Sequence, residues 1–120
     1  SRNMAKKTLG DMVFDESSIT DEEIDRMWDL STYPGNMDAM FREFADSWED
    51  FNPTEIRGIA TNTLLIWGEE DSICPKSMGS WYDSQLPNST MVVLPNIGHN
   101  PHFECPNRCL DEISSWMGTL

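Results

Sequence analysis

Two short apolar runs in the second half of the chain place the tightest limit on its fold. One extends from Thr63 to Trp67 and the other from Thr90 to Leu94, and a loop follows each. Both runs have the length of a buried strand, and residues 75–86 between them predict a helix. With a further amphipathic helix over residues 106–120, the order predicts two parallel strands joined by a right-handed crossover. This half of the chain is therefore predicted to be an α/β structure.

Two strands are too few for a parallel sheet that stands alone. Parallel strands are normally buried on both faces and belong to larger sheets. Burial is incomplete in a chain of 120 residues, so a truncated sheet would be poorly tolerated. Residues 1–57 predict helices and contain no convincing strand. The remaining strands are therefore expected on upstream sequence or on a partner chain.

The first half of the chain predicts three helices, and residues that typically start or end a helix lie between them. The first covers residues 4–14, and the second starts at Thr20, with Glu23 three residues later as in a capping box. The residues Tyr33-Pro34-Gly35 end this second helix, and Asn36 is a candidate cap for the third. We predict that residues 1–57 form a helical segment distinct from residues 58–120.

The third helix carries an apolar side rich in methionine and aromatic residues, and the Asn52-Pro53 pair is predicted to end it. The residues on this side are Met37, Met40, Phe41, Phe44 and Trp48. Helical spacing of this kind is typical of ordinary core packing. Flexible methionine and rigid tryptophan also suit the adaptable wall of a lid over an apolar pocket. A helix has two sides, so both interpretations stay open.

Composition argues against several classes of partner. The chain has 21 aspartate and glutamate residues against 8 lysine and arginine residues, and its formal net charge is −13. Nucleic acids and anionic membrane surfaces are bound through cations, so neither is expected as a partner. No apolar run approaches the roughly 20 residues that span a bilayer, and no signal peptide is visible. The acidic residues are interpreted as a solvated surface.

The cysteines bear on two questions: whether the chain lies in a reducing compartment, and whether it binds a metal ion. Cys74, Cys105 and Cys109 are too few, and odd in number, for a disulfide framework, so reduced thiols and a cytoplasmic location are expected. With His99 and His102, the last two cysteines have the spacing H-x2-H-x2-C-x3-C, which could form a four-ligand zinc site. These four residues lie close together in sequence, and two prolines restrict their folding back. We therefore predict that no zinc and no other cofactor is bound.

The loops after the two apolar runs hold the residues that suggest chemistry. Asp71 lies four residues past Trp67, and His99 lies in the loop after the second run. Catalytic groups in open α/β sheets lie beyond the carboxyl ends of the strands. A carboxylate on one ring nitrogen of a neutral imidazole lets the other nitrogen act as a general base. The alternatives are a solvated acidic turn, since Glu69 and Glu70 precede Asp71, and an ordinary loop histidine.

These loops resemble the C-terminal half of an α/β-hydrolase. LLIWGEEDSICP and LPNIGHNPHFECP are similar to the family's strand followed by Gly-x-x-Asp-x-x-x-Pro and then strand followed by Gly-His-x-Pro. The matching residues are Gly68, Asp71, Pro75, Gly98, His99 and Pro101, with Glu104 and Pro106 in the usual continuation. The resemblance is specific over residues 63–119, although Asn62 stands where the family often has proline. It is looser over residues 11–57, which look like the family's helical cap.

The resemblance implies Asp71 as the triad acid and His99 as the triad base. The family's chain order is nucleophile, acid, histidine. This chain has no Gly-x-Ser-x-Gly nucleophile elbow and no oxyanion-hole segment, and Ser80 follows Asp71 without the second glycine. The implied arrangement is a helical cap over residues 1–57 followed by the C-terminal part of the core over residues 58–120. The N-terminal half of the fold, in upstream sequence or a separate chain, would supply the nucleophile.

Two functions follow from this resemblance. The first is part of a hydrolase that cleaves a small apolar ester or related acyl compound, and that is inactive without the nucleophile. Epoxide and haloalkane hydrolases of the same family use an attacking aspartate, so the nucleophile stays open. The alternative is a non-catalytic binding or scaffolding module, which the presence of both Asp71 and His99 disfavours. A serine, cysteine or aspartate in a glycine-flanked elbow on the missing half would discriminate between the two.

Overall fold

Helices form the first half of the molecule, and alternating strands and helices form the second. The computed structural model describes residues 1–45 and 52–120. The elements are α1 (Arg2–Met12), a short 3₁₀ helix (Glu16–Ser18), α2 (Asp21–Thr32), α3 (Asn36–Ala45), α4 (Pro53–Arg57), β1 (Thr63–Gly68), α5 (Lys76–Gln85), β2 (Ser89–Leu94), α6 (Pro101–Glu104) and α7 (Pro106–Met117). Across the described ranges, every helix is too short or too polar to cross a bilayer.

Local signals explain where the first helices begin. The predicted capping box is present at α2, where Thr20 Oγ1 accepts from the Glu23 amide and the Glu23 carboxylate accepts from the Thr20 amide. The prediction that Asn36 caps α3 is wrong, because Asn36 is already the first helical residue and its side chain donates to the Leu30 carbonyl. Asn52 caps the short helix α4, which the sequence did not predict.

One predicted feature of α3 lies largely outside the described residues. Of its expected apolar side, Met37, Met40 and Phe41 are exposed. The position of Trp48 and the surroundings of the Phe44 side chain fall outside the part of the chain that the structure describes. The described part therefore shows this helix with an open apolar side.

The two strands pair in parallel, as predicted from the strand–helix–strand order. Their register joins Thr63 to Ser89 at one end and Gly68 to Leu94 at the other. The ladder continues past the strands, because the Glu69 amide donates to the Leu94 carbonyl at 3.0 Å. Both following loops consequently leave the same edge of the sheet in a fixed register.

A small core lies where α7 crosses this sheet. Leu94, Ile97 and Cys109 are buried there. Much of the apolar side of α7 is not covered, since Leu110, Ile113 and Met117 are exposed. A two-stranded sheet offers too little surface to cover an amphipathic helix of three turns.

Two glycines let the loop after β2 approach its neighbours closely. A Cβ atom on Gly68 would lie 1.9 Å from the Gly98 carbonyl oxygen, and a Cβ atom on Gly98 would lie 2.8 Å from the Phe14 backbone nitrogen. No side chain fits at these distances without moving the backbone. The glycines therefore set the spacing between β1, the loop after β2 and the residues that follow α1.

We expect Thr20→Ala to lower the free energy of unfolding by about 1 kcal/mol, because an amide of the first turn of α2 loses its acceptor. Denaturant unfolding followed by circular dichroism measures the change. Thr20→Ser is the matched control, since serine keeps the hydroxyl acceptor. Equal losses in the two variants would show that the capping bond contributes nothing.

We expect Gly68→Ala to destabilise the protein by about 1–3 kcal/mol or more, because the added methyl group overlaps a backbone carbonyl. Gly118→Ala is the control, since its Cβ would meet nothing closer than 3.3 Å. Denaturant unfolding of both variants makes the comparison. A Gly68→Ala protein as stable as the control would contradict the close approach of β1 and the loop after β2.

Candidate active site

Asp71 is fixed in the loop that follows β1. Its Oδ1 atom accepts hydrogen bonds from the amides of Ile73 at 2.9 Å and Cys74 at 2.8 Å. The Trp67 indole holds the far end of this loop by donating to the Cys74 carbonyl at 2.8 Å. The Asp71 side chain is only 5% exposed. With Oδ1 occupied by the loop's own amides, Oδ2 is held in one direction.

Oδ2 faces the imidazole of His99 in the loop after β2. The distance from Asp71 Oδ2 to His99 Nδ1 is 2.9 Å, and the His99 side chain is 30% exposed. A proton on Nδ1 would be donated to this carboxylate, which leaves Nε2 of a neutral ring as an acceptor. Within the described residues, Nε2 has no hydrogen-bond partner. This geometry orients the ring and leaves one nitrogen available to abstract a proton.

The pair lies on a cavity of about 200 Å³. Its lining consists of Ile66, Trp67, Gly68, Asp71, Cys74, His99 and Pro101. Apart from Asp71 and His99, these are apolar or small residues. The carboxylate and the imidazole are therefore the acid–base pair of this wall, which also includes the Cys74 thiol.

The other two acids of the Glu69-Glu70-Asp71 run are exposed, as expected for three adjacent carboxylates. Glu69 pairs with Lys76 at 3.0 Å on the surface. Glu70 has a structural contact that the sequence did not predict, since its Oε2 accepts from the Ile97 amide at 3.1 Å. Only Asp71 contacts the imidazole.

Two further groups considered from the sequence lie apart from this pair. His102 is exposed on α6. Ser80 is exposed on α5, and its hydroxyl donates to the Lys76 carbonyl at 3.2 Å. Neither residue is brought into contact with Asp71 or His99.

The candidate zinc ligands do not converge. Among the residues that the structure covers, no three histidine, cysteine, aspartate or glutamate side chains are grouped to hold a metal ion. His99 already uses Nδ1 on Asp71, and the Cys105 thiol donates to the Pro101 carbonyl. Burial, followed by the neighbouring Cys105, raises the pKa of the Cys109 thiol. A raised pKa disfavours the thiolate that zinc requires. That no metal is bound stays a prediction.

The sequence did not show what holds the backbone of the histidine loop. The Glu104 carboxylate accepts from the amides of Gly98 and Asn100, and the His99 amide donates to the Met12 carbonyl at 2.8 Å. A glutamate five residues after the histidine was visible only as part of a motif. The contact with Met12 joins segments that are far apart in sequence, and no local pattern could reveal it.

The chain is similar to a known protein family and to several known hydrolases. A family model named Abhydrolase_4 and described as TAP-like protein matches residues 32–117. The chain is 31% identical over 117 residues to the uncharacterized hydrolase YugF of Bacillus subtilis, covering 98% of this chain and 43% of the relative. It is 27% identical over 103 residues to a 2-hydroxy-6-oxononadienedioate/2-hydroxy-6-oxononatrienedioate hydrolase of Pseudomonas putida, covering 82% of this chain and 36% of the relative.

A solved structure shows the same fold. The CarC enzyme, described as a serine hydrolase involved in carbazole degradation, superimposes with a TM-score of 0.88 at 19% identity, over 100% of this chain and 48% of that protein. The chain thus spans less than half the length of each of these three proteins. Its two parallel strands with flanking helices correspond to the C-terminal part of their fold. The chain belongs to the α/β-hydrolase family.

Proposed function

We propose that this chain supplies the acid and the base of a hydrolase that cleaves a small apolar ester or related acyl compound. The observation that carries the proposal is the 2.9 Å contact between Asp71 Oδ2 and His99 Nδ1, where the loops of two parallel strands meet. The nucleophile is a serine outside these 120 residues. We call the chain together with the segment or partner chain that bears this serine the assembled enzyme.

In this proposal His99 transfers the protons, and Asp71 orients the His99 imidazole. His99 Nε2 takes the serine proton as the serine oxygen attacks the acyl carbon, and returns a proton to the leaving alcohol. It then takes a proton from the water that attacks the acyl-enzyme, and it returns this proton to the serine oxygen as the acyl–serine bond breaks and the acid is released. Asp71 accepts from Nδ1–H throughout, which keeps the ring in the productive tautomer and stabilises the imidazolium.

The uncovered apolar surface supports a missing half of the fold. The residues of β1 before Gly68 are only partly buried, although parallel strands are normally covered on both faces. Leu110 and Met117 of α7 and Phe14 beyond α1 are at least half exposed. We propose that the N-terminal half of the fold pairs with this sheet and covers these residues.

A second cavity supports an apolar substrate held beneath a helical cap of residues 1–57. It has a volume of about 450 Å³ and lies among α1, α2, α3 and Phe103 of α6. Leu9, Met27, Leu30, Met37, Met40 and Phe103 form its apolar wall, with Glu23, Arg26, Ser31 and Asn36 as the polar lining. Phe103 lies four residues after His99, so this wall and the base belong to adjoining segments.

The names of relatives support the reaction class. The Pseudomonas putida relative is named as a hydrolase of a 6-oxo dioate, and the CarC enzyme is described as a serine hydrolase. Hydrolysis by a serine and a histidine is the chemistry that Asp71 and His99 could complete. The apolar lining favours an acyl chain with few charges over a dioate.

We expect His99→Ala to remove nearly all ester turnover by the assembled enzyme, and Asp71→Asn to lower turnover by about 10⁴-fold, because the asparagine favours the wrong imidazole tautomer. The measurement is steady-state hydrolysis of a chromogenic ester with an aliphatic acyl chain.

His102→Ala and Glu69→Gln are the matched controls, since both residues are exposed and neither contacts the Asp71–His99 pair. Their turnover should stay within a few-fold of the unmodified protein. A loss in His102→Ala equal to that in His99→Ala would overturn the assignment of the base. Full turnover in both Asp71→Asn and His99→Ala would overturn the proposal that this chain supplies the acid and the base.

A further inference from the structure

The backbone of the histidine loop is held amide by amide. Four consecutive amides, from Ile97 to Asn100, all donate to groups outside the loop's own turn. The Ile97 amide donates to Glu70, the Gly98 and Asn100 amides to Glu104, and the His99 amide to the Met12 carbonyl. A loop with no regular structure is thereby fixed on both sides of the imidazole.

Glu104 makes the largest share of these contacts. Its Oε1 and Oε2 atoms lie 2.9 and 3.0 Å from the Gly98 amide, and Oε1 lies 3.3 Å from the Asn100 amide. Its Oε2 also lies 2.7 Å from the amide of Phe14. Hydrogen bonds from amides to a carboxylate are stronger than those between neutral groups. One side chain therefore ties three backbone positions from two distant segments together.

The short helix α6 explains how Glu104 reaches back to the loop. Pro101 starts this helix directly after the loop, and the Glu104 amide donates to the Asn100 carbonyl, which closes its single turn. The turn brings the carboxylate beneath the amides on either side of His99. Gly98 permits the contact between Glu104 and the Phe14 amide, because any side chain at position 98 would collide with the backbone of Val13 and Phe14.

The last two residues of α1 contact both catalytic loops. The Met12 carbonyl accepts from the His99 amide at 2.8 Å, and the Asp11 carbonyl accepts from the Ser72 hydroxyl at 3.3 Å. Ser72 immediately follows Asp71. The end of α1 is thus hydrogen-bonded both to the loop that carries Asp71 and to the loop that carries His99. Glu104 adds a second link to the histidine loop, because it binds the amides of Phe14 and Gly98.

We infer that Glu104 is a positioning residue, which keeps the His99 imidazole directed at Asp71 and fastens the end of α1 to the histidine loop. The inference rests on the proposed function, because it concerns the base of that reaction. Within the described residues, the Glu104 side chain is hydrogen-bonded only to backbone amides, and it does not touch the reacting atoms. It acts through His99, because a displacement of about 1 Å in a catalytic group is enough to lower turnover by about 10²-fold.

The test compares three variants of the assembled enzyme. We expect Glu104→Ala to lower kcat for ester hydrolysis by about 10²-fold while KM changes less than threefold. Glu104→Gln keeps one carbonyl acceptor and should recover part of the loss. Glu55→Gln is the matched control, because Glu55 is exposed on α4 and its side chain makes no hydrogen bond within the described residues. Its kcat should be unchanged.

Amide hydrogen exchange supplies a readout that does not depend on activity. Exchange at Phe14, Gly98 and Asn100 should accelerate in Glu104→Ala, less in Glu104→Gln, and not in Glu55→Gln. Thr20→Ala separates positioning from general destabilisation, since it weakens α2 without touching the loop. If Thr20→Ala lost as much kcat as Glu104→Ala at equal loss of stability, the positioning role would be overturned.

Failure of this inference is distinguishable from failure of the proposed function. Unchanged kcat and unchanged exchange in both Glu104 variants, with His99→Ala inactive, would overturn the role of Glu104 alone. Full activity of His99→Ala would overturn the proposed function, and with it the positioning role in that reaction. Faster exchange with unchanged kcat would also overturn it, by showing a purely structural contact.

Discussion

The hydrogen bond between Asp71 and His99 is the interaction on which the site depends. Other contacts in the fold fix the position of each of these two residues. The Asp71 side chain is almost fully buried, and one of its oxygens accepts hydrogen bonds from the amides of Ile73 and Cys74. A buried carboxylate is tolerated only when it is hydrogen-bonded. The remaining oxygen can then be satisfied by the imidazole, at 2.9 Å. Parallel pairing of β1 and β2 brings both loops to the same edge, which makes this short contact possible.

The second constraint is the incomplete cover of the sheet. A parallel pair in this family is normally a small part of a larger sheet with helices on both faces. Here the strands are only partly buried, and the described apolar residues of α3 and much of the apolar side of α7 are exposed. The core is correspondingly small, around Leu94, Ile97 and Cys109. This incomplete cover supports the proposed need for a nucleophile-bearing half.

Sequence patterns were sufficient for both strands, for the longer helices and for the two loops that follow the strands. The apolar runs gave both strands to within one residue, and the capping box gave the start of α2. The pairing of Asp71 with His99 followed from strand order, because parallel strands deliver their loops to one edge. The short helices α4 and α6 were missed, since four or five residues carry no periodicity. Glu104 was seen only as a motif residue, because its contact with Phe14 spans 90 positions. Asn36 was misread because a cap and a first helical residue look alike in sequence.

The central claim is that His99 activates a serine that these residues do not contain, and covalent labelling tests it most directly. The natural protein that carries this chain would be treated with a fluorophosphonate, which reacts with activated serines, and the labelled peptide identified by mass spectrometry. The expected result is one label on a serine outside residues 1–120, lost in His99→Ala. A label on Ser80 or on another serine of this chain, or labelling that His99→Ala leaves unchanged, would contradict the claim.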